Sequence, residues 1–297
     1  MLNYLTGSSA LVKDSLWSIL TDPQAYSLHT LAAQFLRPEP VRDILYPNPE
    51  IQSAAAIVVD LDTGKTLFSK NPDEQMAIAS ITKIMTTLII LNSKSNLDEV
   101  YTVSEKATKV PGSRMYLLSN EKITIDNLLR GALIESANDA AYALAENTAD
   151  TSEQFVTIMN SYASSLELSN THFTNVWGAD EKGHHSCARD LAKLTVLALR
   201  NETFRNIVSI QKTTVTDVYG KFQHNLNNTN RLIGKYVNII GVKTGTTDNA
   251  GESLVVAAKG ESNQTVIVVL LNSPDRFTEG KTLLDWALRA YNWIEPL

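Results

Sequence analysis

Three short polar motifs carry the residue types that acyl-transfer chemistry needs. Ser80-Ile-Thr-Lys83 and Lys243-Thr-Gly245 each combine hydroxyl groups with a lysine, and Ser136-Ala-Asn138 adds a second serine and an amide. A serine hydroxyl becomes a good nucleophile only when a nearby base removes its proton, and a lysine whose pKa is depressed can be that base. A cation flanked by hydroxyls can also bind a carboxylate. The motifs therefore indicate a serine site that attacks an amide next to a free carboxylate.

The choice of nucleophile depends on the predicted secondary structure around each serine. Ser80 precedes an apolar run over residues 81–91 that predicts a helix, where side chains three positions apart are neighbours. Ser209-Ile-Gln-Lys212 fits the same pattern, but it precedes an alternating Thr/Val segment over residues 213–219 that predicts a strand. In a strand, residues three apart face opposite sides. We therefore select Ser80, with Lys83 beside it, and reject Ser209.

Predicted strands at both ends of the core enclose a run of predicted helices. An apolar segment over residues 54–60, a turn at Asp62-Thr-Gly64 and residues 65–69 are typical of a β-hairpin. Helices are predicted over residues 81–91, 125–134, 139–146, 152–166 and 186–199, strands over 212–219, 239–244, 253–259 and 265–271, and a closing helix over about 274–293. Ser186 is the predicted N-cap of the helix over 186–199. This order predicts an α+β fold, an α-β-α sandwich, with an antiparallel sheet built from both ends of the core and a helical subdomain inserted between them.

Bulk composition argues against several classes of function. The chain has 297 residues, a net charge of −6 and 43% apolar residues, so a nucleic-acid partner is not expected. Its single cysteine, Cys187, excludes an internal disulfide. The longest apolar runs are far shorter than the roughly 20 residues that span a bilayer. Lys13 and Asp14 interrupt the N-terminal segment, so we expect neither a membrane segment nor a signal peptide in this chain.

The first 49 residues differ in pattern from the rest. Residues 26–37 could form a short amphipathic helix, and the prolines at 38, 40, 47 and 49 predict an extended stretch. We interpret residues 1–49 as a spacer or accessory segment and residues 50–297 as the core domain, with the helical subdomain over about 84–200.

The motifs and their order resemble those of the low-molecular-mass penicillin-binding proteins, in particular the D-alanyl-D-alanine carboxypeptidase family. The resemblance covers about residues 50–295 and implies a serine β-lactamase-like, transpeptidase-like catalytic domain over residues 50–297. Further matching segments are Gly112-Ser-Arg-Met-Tyr-Leu117, Leu128-Leu-Arg-Gly131, Ser136-Ala-Asn-Asp-Ala-Ala141, Asn170-Thr-His-Phe173, Ala188-Arg-Asp-Leu191 and Leu283-Leu-Asp-Trp286. One departure is Asn175-Val-Trp-Gly-Ala-Asp180, which stands where the family commonly has a segment like N-P-H-G-L-D and leaves the shape of this loop open.

The resemblance and the residue chemistry together assign expected catalytic roles. Ser80 is the expected nucleophile and Lys83 its base, acting directly or through a bridging group, with Lys243 as the second cation that lowers the pKa of Lys83. The family implies that Ser136 relays the proton to the departing amine and that Asn138 holds Lys83 and the substrate backbone. It also implies an oxyanion hole formed by the backbone N–H groups of Ser80 and Thr246.

Residues 243–246 are expected to form the substrate-binding wall. We predict an edge strand along which a peptide can pair. Gly245 has no side chain and therefore leaves room for the peptide to lie beside this strand. Lys243 and the hydroxyls of Thr244 and Thr246 are expected to bind the terminal carboxylate.

The implied activity is a serine D,D-carboxypeptidase that removes the terminal D-Ala from peptidoglycan stem peptides outside the cytoplasm. β-Lactam antibiotics such as penicillin would acylate the same serine, and the family uses no metal or organic cofactor. A D,D-endopeptidase of the same family has the same motifs and stays open. A β-lactamase is less expected because no convincing base for rapid deacylation is found, and an intact catalytic set argues against a non-catalytic protein that binds wall peptides.

Several motifs also have simpler interpretations. Ser136 and Asn138 could merely cap the following helix. His184, His185 and Cys187 do not match the spacing of common zinc sites, so we interpret them as a surface loop. Arg231 could equally contact a substrate or cover a strand.

Overall fold

A computed structural model describes residues 38–236 and 238–295 of the chain. The chain divides into two units, of which the larger is Pro40–Asn292. All the motifs singled out above lie in the larger unit. The predicted helix over residues 26–37 lies outside the described residues.

The larger unit is built on an antiparallel sheet whose five strands come from both ends of its sequence. The order in this sheet is β3-β2-β10-β9-β8. The described strands are β1 (Glu39–Arg42), β2 (Ala55–Asp60), β3 (Thr66–Lys70), β4 (Val100–Thr102), β5 (Lys122–Thr124), β6 (Lys212–Thr216), β7 (Gln223–Asn227), β8 (Ile239–Thr247), β9 (Gly251–Lys259), β10 (Thr265–Ser273) and β11 (Tyr291–Ile294). The pairs β1-β11, β4-β5 and β6-β7 form separate two-stranded sheets.

Helices cover both faces of the five-stranded sheet, which explains its continuous apolar sequences. The described helices are α1 (Lys83–Ser93), α2 (Glu105–Thr108), α3 (Ile125–Arg130), α4 (Asn138–Ala149), α5 (Ser152–Ser165), α6 (Ala188–Arg200), α7 (Glu202–Val208) and α8 (Arg276–Ala290). Gly280 of α8 packs against Leu254 and Val256 of β9. Val255 and Ala257, which point to the opposite face, belong to the core that the inserted helices share. The predicted sandwich with an inserted helical subdomain is therefore confirmed.

Three of the sequence predictions differ from the structure. The closing helix ends at Ala290, and residues 291–294 form β11. The N-cap of α6 is Cys187, whose Sγ accepts a hydrogen bond from Asp190 N at 3.4 Å, and not Ser186. The polar strand β7 was not predicted, because its sequence, Gln-His-Asn-Leu-Asn, has only one apolar side chain.

Residues before position 50 contact the closing helix. The indole Nε1 of Trp286 donates to Pro47 O at 2.8 Å, and the Arg42 guanidinium lies 5.1 Å from the centre of the Trp286 ring. The assignment of residues 1–49 as a spacer stays a prediction. Within the described residues, no helix combines the length and apolar character that crossing a bilayer requires.

Candidate active site

Ser80 lies in a single 3₁₀ turn, Ala79–Thr82, that leads directly into α1. The residue before it, Ala79, has a left-handed backbone conformation with φ of 48°. Such a conformation is uncommon for a residue with a side chain and costs on the order of 1–2 kcal/mol. We call residues 79–82 the nucleophile turn, after the role expected of Ser80. The surrounding structure has to hold this turn in place.

Lys83 is completely buried and makes three hydrogen bonds through Nζ. Its partners are Ser80 Oγ at 2.9 Å, Asn138 Oδ1 at 2.7 Å and the backbone oxygen of Trp177 at 2.8 Å. An amide oxygen and a carbonyl oxygen can only accept hydrogen bonds. A neutral Lys83 therefore donates its two N–H groups to Asn138 and Trp177, and its lone pair faces the Ser80 hydroxyl. A neutral Lys83 in this geometry can accept the Ser80 proton.

The electrostatic surroundings of Lys83 favour its neutral form. Burial is the largest cause that lowers the pKa of the Lys83 ammonium well below its usual range, and the charge of Lys243 lowers it further. Asp139 acts in the opposite direction, but it does not reverse the shift. The direction of this shift agrees with the influence expected of Lys243, whose role as second cation stays a prediction.

Asn138, the first residue of α4, is fixed on both sides of its amide group. Its Nδ2 donates to Pro111 O at 2.6 Å, which leaves Oδ1 to accept from Lys83. Gly112 allows this close approach, because a Cβ at that position would lie 2.7 Å from Asn138 Nδ2. The loop that begins at Gly112 is therefore packed against the site, and it orients Asn138 toward the lysine.

Ser136 lies next to this group of residues, at the end of a π-helical turn over Gly131–Glu135. Its φ is 62°, in the left-handed region, and its side chain is buried. Among the described residues, Lys83 bonds to Ser80 and Asn138 and not to Ser136. Proton relay by Ser136 stays a prediction.

Lys243 lies on β8, the edge strand of the sheet, as predicted. It is 1% exposed, and its Nζ donates to Thr244 O at 3.1 Å. Burial, followed by the charge of Arg276, lowers the pKa of Lys243 to about 7. Since an ammonium has three donors, Lys243 keeps hydrogen-bonding capacity for an anion.

The other residues of the third motif have different surroundings. The Thr244 hydroxyl is buried and donates to Thr229 Oγ1 at 2.7 Å, so it is already paired. A Cβ on Gly245 would lie 2.9 Å from Ile78 O and 3.1 Å from Ser80 N. The structure therefore gives a reason for Gly245 that sequence analysis did not find: β8 must approach the backbone of the nucleophile turn.

Arg276 is a candidate binding residue that sequence analysis missed. Its Nη1 donates to Gly245 O at 2.8 Å and to Thr246 Oγ1 at 2.6 Å. Arg276 is the first residue of α8, where the helix dipole disfavours a cation. An arginine at the start of a helix was therefore the sequence feature that could have pointed to a binding role, because a cation is unfavourable at that position unless it serves another purpose. Arg231 lies 5.9 Å from the ring centre of Phe277, which leaves its role open.

The loop with the unusual sequence, residues 175–180, joins the base to the sheet edge. Trp177 O accepts from Lys83, and Gly178, with φ of 94°, packs so closely on the nucleophile turn that a Cβ would clash with Ala79 O. Asp180 accepts hydrogen bonds from Thr247 Oγ1 at 2.6 Å and Asn249 N at 3.0 Å. No side-chain pattern predicts the contact with Lys83, because its acceptor is a backbone carbonyl.

The interpretation of His184 as part of a surface loop is wrong. Its side chain is buried, and Nε2 lies 2.7 Å from Thr82 Oγ1 in the nucleophile turn. The ring of His185 stacks on the ring of His172, with 6.2 Å between the ring centres.

Comparison with known proteins identifies extensive similarity. Residues 44–275 match the family described as D-alanyl-D-alanine carboxypeptidase. The chain is 35% identical over 246 residues to D-alanyl-D-alanine carboxypeptidase DacF of Bacillus subtilis, covering 81% of this chain and 63% of that protein. It is 34% identical over 262 residues to DacC of Escherichia coli, covering 84% and 64%. The chain therefore spans somewhat less than two thirds of the length of these two relatives.

Solved structures show the same similarity in three dimensions. The crystal structure of the Streptomyces K15 DD-transpeptidase superposes with a TM-score of 0.77 at 31% identity, covering 82% of this chain and 99% of that one. D-alanyl-D-alanine carboxypeptidase DacD from Francisella tularensis superposes with a TM-score of 0.77 at 27% identity, covering 90% and 76%.

Proposed function

The chain belongs to the D-alanyl-D-alanine carboxypeptidase family, and from that membership we propose that it is a serine D,D-carboxypeptidase. It removes the terminal D-Ala from peptidoglycan stem peptides through an acyl-enzyme on Ser80. One observation carries the proposal above all: Lys83 Nζ lies 2.9 Å from Ser80 Oγ, while its other two partners can only accept hydrogen bonds. This arrangement gives the serine a base without a histidine.

The first step forms the acyl-enzyme. Lys83 takes the Ser80 proton as Oγ attacks the carbonyl carbon between the two D-alanines, and the carbonyl oxygen becomes an oxyanion. The backbone N–H groups of Ser80 and Thr246 donate to that oxyanion. The bond between the carbonyl carbon and the amine nitrogen then breaks, and the amine leaves as D-Ala with a proton relayed through Ser136. In the second step, water hydrolyses the ester and restores Ser80.

Recognition of the terminal carboxylate falls to a group of cations and hydroxyls at the sheet edge. Lys243 is buried and has donors to spare, and Arg276 holds Thr246 Oγ1 at 2.6 Å. Charge-assisted hydrogen bonds from such groups contribute about 1.5–3 kcal/mol each. This preference selects an amide next to a free carboxylate, which also describes penicillin. We therefore propose that β-lactams acylate Ser80 and that the enzyme acts where peptidoglycan lies, outside the cytoplasm.

The experiment that tests the proposal is D-alanine release from an acyl-Lys-D-Ala-D-Ala peptide. Ser80→Ala is the control, and mass spectrometry of penicillin-treated protein runs in parallel. Release that is lost in Ser80→Ala, together with a stable penicilloyl adduct on Ser80, is the expected result. An adduct without D-alanine release would instead favour a D,D-endopeptidase, which cross-linked dimeric peptides would then reveal. If the folded protein formed no penicilloyl adduct and released no D-alanine, serine catalysis would be refuted.

A further inference from the structure

A chain of hydrogen bonds links His184 to the peptide group that precedes the nucleophile. Thr174 N donates to His184 Nδ1 at 3.1 Å, His184 Nε2 lies 2.7 Å from Thr82 Oγ1, and Thr82 Oγ1 donates to Ala79 O at 2.8 Å. Neither His184 nor Thr82 has a part in the mechanism described above. Both are buried, so the chain is shielded from solvent.

The direction of every bond in this chain is determined by its two ends. A backbone N–H can only donate, so His184 Nδ1 must accept from Thr174 and the ring proton must lie on Nε2. A backbone carbonyl can only accept, so the Thr82 hydroxyl donates to Ala79 O and accepts from His184 Nε2. This arrangement requires a neutral imidazole. Burial, assisted by the neighbouring His172 and His185, lowers the pKa of His184 to about 4, which keeps the ring neutral at ordinary pH.

The last acceptor in this series of hydrogen bonds is the carbonyl of a strained residue. Ala79 has φ of 48°, and its carbonyl belongs to the same planar peptide group as the Ser80 N–H. In a trans peptide these two groups point in opposite directions. A hydrogen bond that fixes Ala79 O therefore also fixes the direction of the Ser80 N–H.

We propose that His184 and Thr82 are positioning residues that orient the Ser80 N–H as an oxyanion donor. The inference rests on the proposed function only in assigning the oxyanion to this N–H. Removing an oxyanion donor outright slows catalysis about 100- to 1000-fold. Loss of the support leaves the donor present but less well aimed, so the effect should be smaller, about 10- to 100-fold.

The test compares variants that break this series of hydrogen bonds with variants that keep it. Thr82→Val removes the hydroxyl at nearly constant shape, and Thr82→Ser keeps it. His184→Ala removes the donor to Thr82, and His184→Gln keeps an N–H at a similar reach. Thr195→Val is the matched control, because Thr195 is equally buried and its hydroxyl donates to Leu191 O at 2.6 Å within α6.

Two measurements separate positioning from general damage. The first is the rate constant for acylation by penicillin, with the active fraction counted from the final penicilloyl stoichiometry. The second is the affinity for a peptide boronic acid ending in a D-Ala analogue, whose tetrahedral adduct places an oxygen where the oxyanion forms. We expect Thr82→Val and His184→Ala to lower both quantities by the same factor. Thr82→Ser and His184→Gln should recover most of the loss, and Thr195→Val should match the wild type.

Three results would overturn the inference. One is acylation of Thr82→Val at the wild-type rate. Another is slower acylation with unchanged boronate affinity, and the third is a loss that appears only as a smaller active fraction. Failure of the proposed function looks different, because the wild-type protein would then release no D-alanine. Penicillin acylation of Ser80 would still report on His184 and Thr82 in that case.

Discussion

Two buried lysines of the candidate site, Lys83 and Lys243, differ in how their hydrogen-bonding capacity is used. Lys83, at the start of α1, has three partners for its three Nζ positions. Lys243, on β8, donates to one backbone oxygen at 3.1 Å. Burial lowers the pKa of both residues. The same residue type under the same desolvation therefore has two different sets of contacts.

The difference fits the two roles proposed above, a base for Lys83 and an anion receptor for Lys243. A base is most effective when every direction but one is occupied, since its lone pair then points at a single proton. An anion receptor needs donors that are not yet used. Lys243 also lowers the pKa of Lys83, and Arg276 lowers the pKa of Lys243, so the charge of one group influences the protonation of the next.

The strongest test of these two roles is to replace Lys83. We expect Lys83→Ala to slow acylation of Ser80 by penicillin about 1000-fold or more, because general-base catalysis contributes about 100- to 10,000-fold. Lys83→Arg should be nearly as impaired, since a guanidinium stays protonated. Stopped-flow or quenched acylation kinetics measure this. An Arg variant that acylates at close to the wild-type rate would contradict the role of base.

Replacement of Lys243 should give a smaller loss with a different pH dependence. Lys243→Ala is expected to reduce kcat/KM for a carboxylate-terminated peptide about 10- to 100-fold, the value of one charge-assisted hydrogen bond. In the wild type, kcat/KM should rise as Lys83 loses its proton and fall as the pH increases through the Lys243 pKa of about 7, where the receptor loses its charge.

Lys243→Arg separates the two limbs of that profile. Because arginine stays charged, the decrease at higher pH should disappear in this variant while the rise caused by Lys83 remains. Profiles of kcat/KM between pH 5 and pH 10 would show it. An unchanged decrease in Lys243→Arg would mean that another group titrates there.

Arg276→Ala should weaken the same receptor by a smaller amount, about 10-fold in KM, because Arg276 also holds the Thr246 hydroxyl. We expect kcat to change little. Its removal should also raise the pKa of Lys243, since one repulsive charge is gone, so the decrease at higher pH should shift upward. A large fall in kcat with constant KM would contradict a binding role.

The smallest expected effect distinguishes two threonines on β8. Thr244→Val removes a hydrogen bond to Thr229 and should cost about 1 kcal/mol of unfolding free energy while KM stays constant. Thr246→Val removes an exposed hydroxyl that accepts from Arg276, so it should raise KM and lower the unfolding free energy by less than Thr244→Val does. Denaturant unfolding and steady-state kinetics on both variants decide between these outcomes. A raised KM in Thr244→Val would place its hydroxyl in the receptor.

Residue patterns predicted the part of the fold that depends on apolar periodicity. The sheet strands β2, β9 and β10 and the longer subdomain helices α1, α4, α5 and α6 have continuous or amphipathic patterns, and their bounds lie within about three residues of the predicted ones. The short helix α2 was not predicted, and the helix predicted over residues 125–134 ends as an α-helix at Arg130. The polar hairpin partner β7 has no such pattern. The closing helix was predicted to extend about three residues too far, because nothing in the local sequence Tyr-Asn-Trp marks its end.

At the candidate site, side-chain types were predictable and backbone contacts were not. The expected pairing of Lys83 with Ser80 follows from helical spacing, whereas its pairing with Asn138 was implied by the family resemblance. The contact with Trp177 O and the support of Ala79 O depend on how a loop and a turn meet in space. The signals that remained were a glycine at each close approach, Gly178 and Gly245, and an arginine at a helix start.

The position of β10 also affects when this protein can become active during its synthesis. β10 pairs with β2 on one side, where Leu271 lies opposite Ala55, and with β9 on the other. A ribosome-bound chain contains Ser80, Lys83 and Lys243 well before Thr265 is added, yet it lacks the strand that joins the N-terminal hairpin to β8 and β9. Pairing over such a long sequence separation is slow to form. We therefore expect nascent chains that stop short of β10 to carry every catalytic residue and to remain unreactive toward penicillin.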